Sequence, residues 1–399
     1  MPELARTAPL TVLIAPDSFG GALDSVAVAA AIADGWHRVR PDDELLRRPM
    51  ADGGEGTLAA LAEALDVAAE RRTLTTRDAL GRPVEADWLL LDEGRAAFIE
   101  MAAASGLARL VPDERTPDSA RRASTRGTGE LVRAALDTGV ERITLGLGGS
   151  ATTDGGAGLL AALGARLLDT DGHDLPDGGA ALARLARIEP ATLDSRLREV
   201  ALVVASDVTN PLVGPNGAAA TYGPQKGADP DAVAELDAAL ATYGRAIEAA
   251  AGRQVADLAG AGAAGGTTSA LLGFTNAVLR PGVEVVGELV GLEGAMEAAD
   301  LVITGEGRAD EQTLAGKTAM GVATLARPRN TPVILLCGAL GKGAEALDAA
   351  MVLRVVQPVI DRPMELAMAM ADTRRLVTNA AERLARTVGI GLDLAAAGA

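Results

Sequence analysis

The sequence predicts an α/β protein with largely parallel sheets and two domains. Short apolar runs alternate with helical patterns along most of the 399 residues, and this alternation is typical of βαβ units. A chain of this length is also longer than one ordinary hydrophobic core accommodates. Polar or glycine-rich segments interrupt the alternation in mid-chain, at 169–194, 207–229 and 260–266. We therefore interpret the middle of the chain as a second domain inserted into the first.

The elements follow from the period of the apolar residues. The predicted strands are the apolar runs 12–15, 45–49, 97–100, 143–147, 200–205, 301–304, 333–337 and 352–356. Apolar positions at helical spacing predict helices over 26–38, 57–65, 128–137, 158–168, 231–251 and 318–326. Asp24 or Ser25, just before the first of these helices, is the expected N-cap. Most predicted strands are thus separated by a helix, as a parallel sheet requires.

Composition limits the classes of partner. The formal charge of −17 argues against nucleic acid and anionic membranes. The sequence has no apolar run of about 18 residues, and its start lacks the basic-then-apolar pattern of a secretion signal. One cysteine, Cys337, allows no internal disulfide. We expect a cytoplasmic protein with small-molecule partners, and the sequence predicts no particular oligomeric state.

A glycine- and hydroxyl-rich segment at 146–158 follows the predicted strand 143–147 and precedes a predicted helix. Backbone N–H groups in such a turn bind oxyanions such as phosphate. Ser150 and Thr152 add hydroxyl donors, and Asp154 adds a carboxylate. This mixture suits a site that handles a phosphate and a hydroxyl group together.

Acidic residues stand among glycines or hydroxyls after five of the predicted strands. The segments are 16–21, 51–57, 148–154, 206–211 and 305–313. In open α/β sheets, ligands bind beyond the carboxyl ends of the strands. Helix capping alone would explain single acids, but it requires neither paired acids nor glycine doublets. We expect these segments to converge on one cleft.

Several kinds of chemistry are disfavoured by the residues present. The two histidines, His37 and His173, have no second histidine or cysteine at metal-ligand spacing, which argues against zinc. A serine hydrolase would need a nucleophile elbow that the sequence lacks. Residues 315–318 resemble the end of a P-loop, but Glu311 stands where its first glycine belongs. Gly146-x-Gly-x-x-Ala151 fits a dinucleotide fingerprint, so a nicotinamide dehydrogenase stays an alternative. Phosphoryl transfer fits best, because it needs anion-binding backbone, carboxylates for Mg²⁺ and a carboxylate base.

Six motifs, spread in order over nearly the whole chain, resemble the type 1 glycerate kinase family. They are 14–19 (IAPDSF), 51–57 (ADGGEGT), 146–156 (GLGGSATTDGG), 207–212 (DVTNPL), 222–227 (YGPQKG) and 304–313 (TGEGRADEQT). The resemblance implies ATP-dependent phosphorylation of D-glycerate, usually at the 2-hydroxyl. It also implies a Rossmann-like domain (1–72 and 284–399) interrupted by a second α/β domain (73–283), with the active site in the cleft between them. Gly20 departs from the pattern, since many members carry lysine there.

Candidate roles follow from the acidic strand-end segments. Asp154 or Asp207 is the predicted base for the glycerate hydroxyl. Substrate and phosphate are assigned to Asp17, Ser18, Gly148, Gly149, Ser150, Thr152 and Arg308, and Mg²⁺ to Asp52, Glu55 and Glu306, with Asp17 a further candidate. The chain has only three lysines, and two of them, Lys226 and Lys317, are predicted to offset charge as the phosphoryl group moves. A kinase for another small hydroxy acid and a non-catalytic sensor are further alternatives.

Overall fold

The computed structural model of the protein describes residues 8–314, 318–349 and 353–398. Lys317 lies outside these residues, as does the start of the predicted strand 352–356. The chain divides into two compact units. Unit 1 comprises Met1–Ala51, Ala59–Asp66 and Val283–Ala399, and unit 2 comprises Asp52–Leu58 and Val67–Gly282.

The described residues form alternating strands and helices, as predicted. The strands are β1 (Thr11–Ile14), β2 (Glu44–Arg47), β3 (Glu70–Arg77), β4 (Pro83–Leu91), β5 (Ala96–Glu100), β6 (Arg142–Gly146), β7 (Arg166–Leu168), β8 (Arg187–Glu189), β9 (Ala201–Ala205), β10 (Val278–Arg280), β11 (Leu301–Ala309), β12 (Val333–Leu340) and β13 (Val355–Pro358). The helices are α1 (Ser25–His37), α2 (Thr57–Leu65), α3 (Ala102–Ser105), α4 (Pro117–Arg122), α5 (Arg126–Asp137), α6 (Ala157–Ala162), α7 (Ala218–Tyr222), α8 (Pro230–Ala251), α9 (Ala263–Phe274), α10 (Gly282–Leu289), α11 (Leu292–Ala298), α12 (Glu311–Leu314), α13 (Thr318–Ala326), α14 (Glu345–Ala349), α15 (Leu366–Ala371) and α16 (Thr373–Gly398).

Unit 1 contains a fully parallel sheet in the order β13-β12-β11-β1-β2. Its core gathers around the buried Trp36, together with apolar residues of β1, β11 and β12. Asp24 begins α1 by accepting a hydrogen bond from the Ala27 backbone N–H at 2.7 Å, so the expected cap is confirmed. Gly35 lets α1 approach α16, since a Cβ there would lie 2.1 Å from the Thr378 carbonyl oxygen.

Unit 2 contains a six-stranded sheet in the order β10-β9-β6-β5-β4-β3 and a small β7–β8 pair. The strands β10, β9, β6 and β5 are parallel, whereas β4 and β3 run antiparallel to their neighbours. Its core includes Trp88, Leu131, Leu240 and Tyr243. The α/β class with largely parallel sheets is therefore confirmed. No helix among the described residues has an apolar stretch that would cross a bilayer.

Two sequence-based interpretations differ from the structure. The helix predicted over 158–168 was wrong in its second half: α6 ends at Ala162 and β7 begins at Arg166. Gly164, at a φ of +105°, makes the break, because this backbone conformation favours glycine. Residues 52–58 and 67–72, assigned to the first domain from the sequence, pack in unit 2. The physical reason is that Gly53 and Gly54 pack against Ala205 and Gly148 of unit 2, while residues 70–72 belong to β3, which pairs with β4.

Candidate active site

Four parallel strands of unit 2 end side by side. Glu100 of β5 pairs with Gly146 of β6, Gly146 with Ala205 of β9, and Ala205 with Arg280 of β10. The segments that leave these strands therefore start from one edge of the sheet. Ligands of open α/β sheets bind at such an edge.

The segment 52–58 packs onto this edge through close backbone contacts. A Cβ on Gly148 would lie 2.3 Å from the Cα of Gly54, and a Cβ on Gly53 would lie 2.9 Å from the Cβ of Ala205. Gly53 also has a φ of +84°, which disfavours any other residue. The glycines of the two motifs thus bring the exposed Asp52 and Glu55 to the carboxyl ends of β6 and β9.

Asp207 lies beside this segment. Its Oδ1 accepts a hydrogen bond from the Gly282 backbone N–H at 3.0 Å. A Cβ on Gly282 would lie only 1.7 Å from the carbonyl oxygen of Asp52, so both acidic residues flank the same glycine. Asp207 and Asp52 are both exposed. Two of the predicted acids, distant in sequence, therefore meet at one sheet edge.

The glycine- and hydroxyl-rich segment after β6 is fixed from behind by backbone hydrogen bonds. Leu107 N–H donates to the Gly149 carbonyl at 2.7 Å, and Ala151 N–H donates to the Ser105 carbonyl at 2.9 Å. Gly149 is exposed and Ser150 is 8% exposed. A Cβ on Gly149 would lie 3.8 Å from Oε2 of Glu55. Gly149 and Ser150 thus border the same edge as Glu55.

Lys226 lies beneath this segment rather than at its surface. Its Nζ donates to Ser150 Oγ at 3.1 Å and to the Thr152 carbonyl at 2.6 Å, and the residue is 2% exposed. Burial lowers the pKa of Lys226 to about 7, while the nearby charge of Asp154 opposes that change. The contact of Lys226 with Ser150 Oγ is therefore its connection to the outer surface of this segment.

Asp154 is completely enclosed. Its Oδ2 accepts hydrogen bonds from the backbone N–H and the hydroxyl of Thr125, both at 2.9 Å, and from Gly158 N–H at 3.2 Å. Its Oδ1 accepts from Gly156 N–H at 3.2 Å. Burial raises the pKa of this carboxyl, and the Thr125 donors oppose the rise. These contacts fix the start of α6, and an enclosed carboxylate does not reach the hydroxyl of a substrate outside. Of the two predicted bases, the geometry favours Asp207.

Thr152 is also fully buried, and its Oγ1 makes no hydrogen bond to any described residue. Its predicted contact with phosphate therefore has no geometric support. Gly149 is exposed, Gly148 is half-buried and Ser150 is 8% exposed, so the backbone of Gly149 is the most accessible group for that purpose.

The remaining described candidates follow β1 and β11, which are adjacent parallel strands of unit 1. Asp17 accepts hydrogen bonds from Ser18 N–H and the Thr318 hydroxyl, both at 2.6 Å. Glu306 is 6% exposed and accepts from the Thr313 hydroxyl at 2.7 Å. In the same unit, the exposed Arg308 pairs with Asp310 at 3.2 Å.

Carboxylates at the unit 2 edge fit Mg²⁺ in combination with phosphate. Mg²⁺ usually takes one or two carboxylates, substrate phosphates and water, and Asp52 and Glu55 are exposed carboxylates on a glycine-rich turn. Among the described residues, the only group of three potential ligands already close together is Asp169, Asp171 and His173. That group lies in the β7–β8 connection. The predicted metal ligands are thus not a preformed three-acid cluster.

Sequence reasoning missed Glu100. This residue ends β5, is 8% exposed, and accepts a hydrogen bond from Leu58 N–H at 3.3 Å. Burial raises its pKa to about 7 against the effect of N–H donors from Leu58, Thr57 and Gly56, and the charge of Glu55 raises it further. In the sequence, the only indication of its importance is an acidic residue at the end of an otherwise apolar strand.

The comparisons agree with the motifs. A model of the glycerate kinase family matches residues 12–389. The chain belongs to the glycerate kinase family. It is 44% identical over 389 residues to a glycerate kinase of Bacillus subtilis, covering 97% of this chain and 98% of that protein. It is 46% identical over 331 residues to the glycerate 2-kinase of Escherichia coli, covering 83% of this chain and 86% of that protein.

A solved structure supports the same assignment. A crystal structure of a protein assigned as glycerate kinase 2 in Salmonella typhimurium LT2 superposes with a TM-score of 0.83 at 44% identity. It covers 96% of this chain and 99% of that chain. The family resemblance and the prediction that the chain is a kinase are therefore confirmed.

Proposed function

We propose that this member of the family transfers the γ-phosphoryl group of ATP to the 2-hydroxyl of D-glycerate in a Mg²⁺-dependent reaction. The observation that carries the proposal is the meeting of Asp52, Glu55 and Asp207 with the exposed backbone of Gly149 at one sheet edge. Phosphoryl transfer requires carboxylates and anion-binding backbone in this combination. The relatives named glycerate kinase support the choice of substrate.

Each group has a role that its environment allows. Asp207, exposed and oriented by Gly282, accepts the proton of the glycerate hydroxyl. The backbone N–H group of Gly149 and the hydroxyl of Ser150 bind an anionic group of substrate or nucleotide. Lys226 Nζ donates a hydrogen bond to Ser150 Oγ from the buried side of the segment. The hydroxyl group of Ser150 then donates a hydrogen bond of its own to the ligand.

Asp52 and Glu55 would hold Mg²⁺, which supplies positive charge against the phosphate oxygens. The sequence-based roles of Asp17, Ser18, Glu306, Arg308 and Lys317 stay predictions. ATP as the phosphoryl donor follows from membership of a kinase family.

A nicotinamide dehydrogenase is disfavoured by what the fingerprint glycines contact. A Cβ on Gly146 would lie 2.5 Å from the Gly53 carbonyl oxygen, and Gly148 is pressed against Gly54. In a dinucleotide fold, such glycines allow the pyrophosphate to approach the backbone. Here the chain's own segment 52–58 takes that position.

The test is ADP release from ATP with D-glycerate and Mg²⁺, followed by ³¹P NMR of the product. A phosphate on the secondary 2-carbon couples to one proton and gives a doublet, whereas a phosphate on the 3-carbon couples to two and gives a triplet. We expect glycerate-dependent ADP release and a doublet. A triplet would refute the 2-hydroxyl assignment, and a preference for another small hydroxy acid in a substrate panel would refute D-glycerate.

A further inference from the structure

Glu100 connects the strand ends to the acidic segment in front of α2. It is the last residue of β5, it pairs in register with Gly146, and its side chain is 8% exposed. Its carboxyl group accepts hydrogen bonds from backbone N–H groups at the start of α2, among them that of Leu58 at 3.3 Å. Glu100 thus caps a helix that begins more than 40 residues earlier in the chain.

The segment 52–58 is also held by backbone packing and by its own local hydrogen bonds, in which the Thr57 hydroxyl and N–H donate to the Gly54 carbonyl at 2.7 and 3.2 Å. Gly54 lies against Gly148, Gly53 lies against Ala205, and Gly148 N–H donates to the Gly53 carbonyl at 3.4 Å. These contacts fix the middle of the segment. The hydrogen bond from Leu58 N–H to Glu100 holds its end, three residues after Glu55.

Burying a carboxyl group is costly unless it is hydrogen-bonded. A glutamate at this position is therefore not explained by packing of the β5 strand, in which the other residues are apolar. Its acceptor oxygens match the N–H groups that the first turn of a helix leaves without partners.

We propose that Glu100 is a positioning residue for the kinase reaction: its side chain fixes the end of the segment 52–58 and thereby places Asp52 and Glu55 at the sheet edge. The proposal rests on the proposed function for its kinetic consequence. Its structural consequence is independent of catalysis. Glu100 contacts neither substrate nor nucleotide in this role.

The first experiment measures amide hydrogen exchange in a peptide covering 52–58, in protein free of metal and nucleotide. Glu100→Ala removes the acceptor. Above pH 7, where the Glu100 carboxyl with its pKa of about 7 is mostly ionised, we expect exchange at 56–58 to accelerate about tenfold or more, since a hydrogen bond to a charged group is worth at least that factor. Glu100→Gln keeps one acceptor oxygen and should give an intermediate rate. Glu85→Ala, at an exposed glutamate of β4 in the same sheet, is the matched control and should exchange like wild type.

The second experiment measures kcat, the KM for glycerate and the Mg²⁺ concentration for half-maximal rate. Displacement of Asp52 and Glu55 should lower kcat and raise the Mg²⁺ requirement about tenfold or more, with a smaller change in KM. Excess Mg²⁺ should restore much of the rate of Glu100→Gln. A role confined to stability would lower the unfolding midpoint without changing the Mg²⁺ requirement of the folded fraction.

Wild-type exchange at 56–58 in folded Glu100→Ala would overturn the proposal, as would an unchanged Mg²⁺ requirement in either variant. If Glu100→Ala does not fold, the same readouts on Glu100→Gln decide. Absence of glycerate-dependent ADP release from the wild type would instead overturn the proposed function, and exchange at 56–58 would still test the position of the segment.

Discussion

Replacing Glu100 by glutamine should change how the stability of unit 2 depends on pH. Burial raises the pKa of Glu100 from 4.5 to about 7 in the folded chain. Between these values the folded state therefore binds more protons than the unfolded state. Stability must then fall as the pH rises through this interval. Glutamine does not titrate, so the free energy of unfolding of the variant should lack the decrease that ionisation of Glu100 causes.

The expected size follows from the pKa difference. At 1.36 kcal/mol per pKa unit, the full cost of ionising Glu100 in the folded state is about 3 kcal/mol above neutral pH. Between about pH 5.5 and about pH 8, roughly 2 kcal/mol of this cost should appear. Over that range, the free energy of unfolding of Glu100→Gln should therefore rise by about 2 kcal/mol relative to that of wild type. This change does not depend on any pH-independent effect of the substitution on stability.

The assay is urea unfolding at the two pH values, followed by tryptophan fluorescence. The sequence has two tryptophans: Trp88 lies in the core of unit 2 and Trp36 in that of unit 1. A Trp36→Phe background makes the signal specific for unit 2. The exposed control Glu85→Gln should keep the wild-type dependence. Equal pH dependence of wild type and Glu100→Gln would refute the reasoning.

Three further substitutions test other parts of the site. Gly148→Ala puts a Cβ 2.3 Å from the Cα of Gly54. It should lower the free energy of unfolding in urea by about 1–3 kcal/mol and lower kcat/KM. Wild-type values of both would contradict the close contact. Lys226→Met removes both hydrogen bonds of a buried amino group and should lower kcat about tenfold or more. Lys342→Met, at an exposed lysine, should leave kcat unchanged. Equal rates for the two variants would count against a role for Lys226. Gly20→Lys meets no atom within 4 Å of its Cβ, so unfolding should shift by no more than about 0.5 kcal/mol, and the KM for glycerate or ATP should fall if the lysine of relatives binds an anion. An unchanged KM for both would show that this chain does not use a cation there.

Local patterns predicted the strand ends well. The strands after which Asp207 and Gly148 follow are short apolar runs bounded by glycine or polar residues, and this signal needs no knowledge of distant contacts. The strand β3 was missed because Glu70–Arg77 is largely exposed and polar. It pairs with β4 at the edge of the sheet, where burial imposes no apolar pattern.

The environment of each acid could not be predicted in the same way. Asp154 and Asp207 both follow a strand and stand near glycine or hydroxyl residues. Only the fold shows that Asp154 is enclosed by donors from Thr125 and α6, while Asp207 is exposed. The proposed role of Glu100 likewise depends on a contact with Leu58 across 42 positions. A single sequence contains no signal for such pairs.

Asp207→Asn tests the central claim most directly. The measurement is kcat for glycerate-dependent ADP release, compared with wild type and with Asp231→Asn, an exposed aspartate in the first turn of α8. Loss of a general base should lower kcat by about a hundredfold or more, with the control unchanged. A kcat for Asp207→Asn close to that of wild type would contradict the assignment of Asp207 at this sheet edge as the catalytic base.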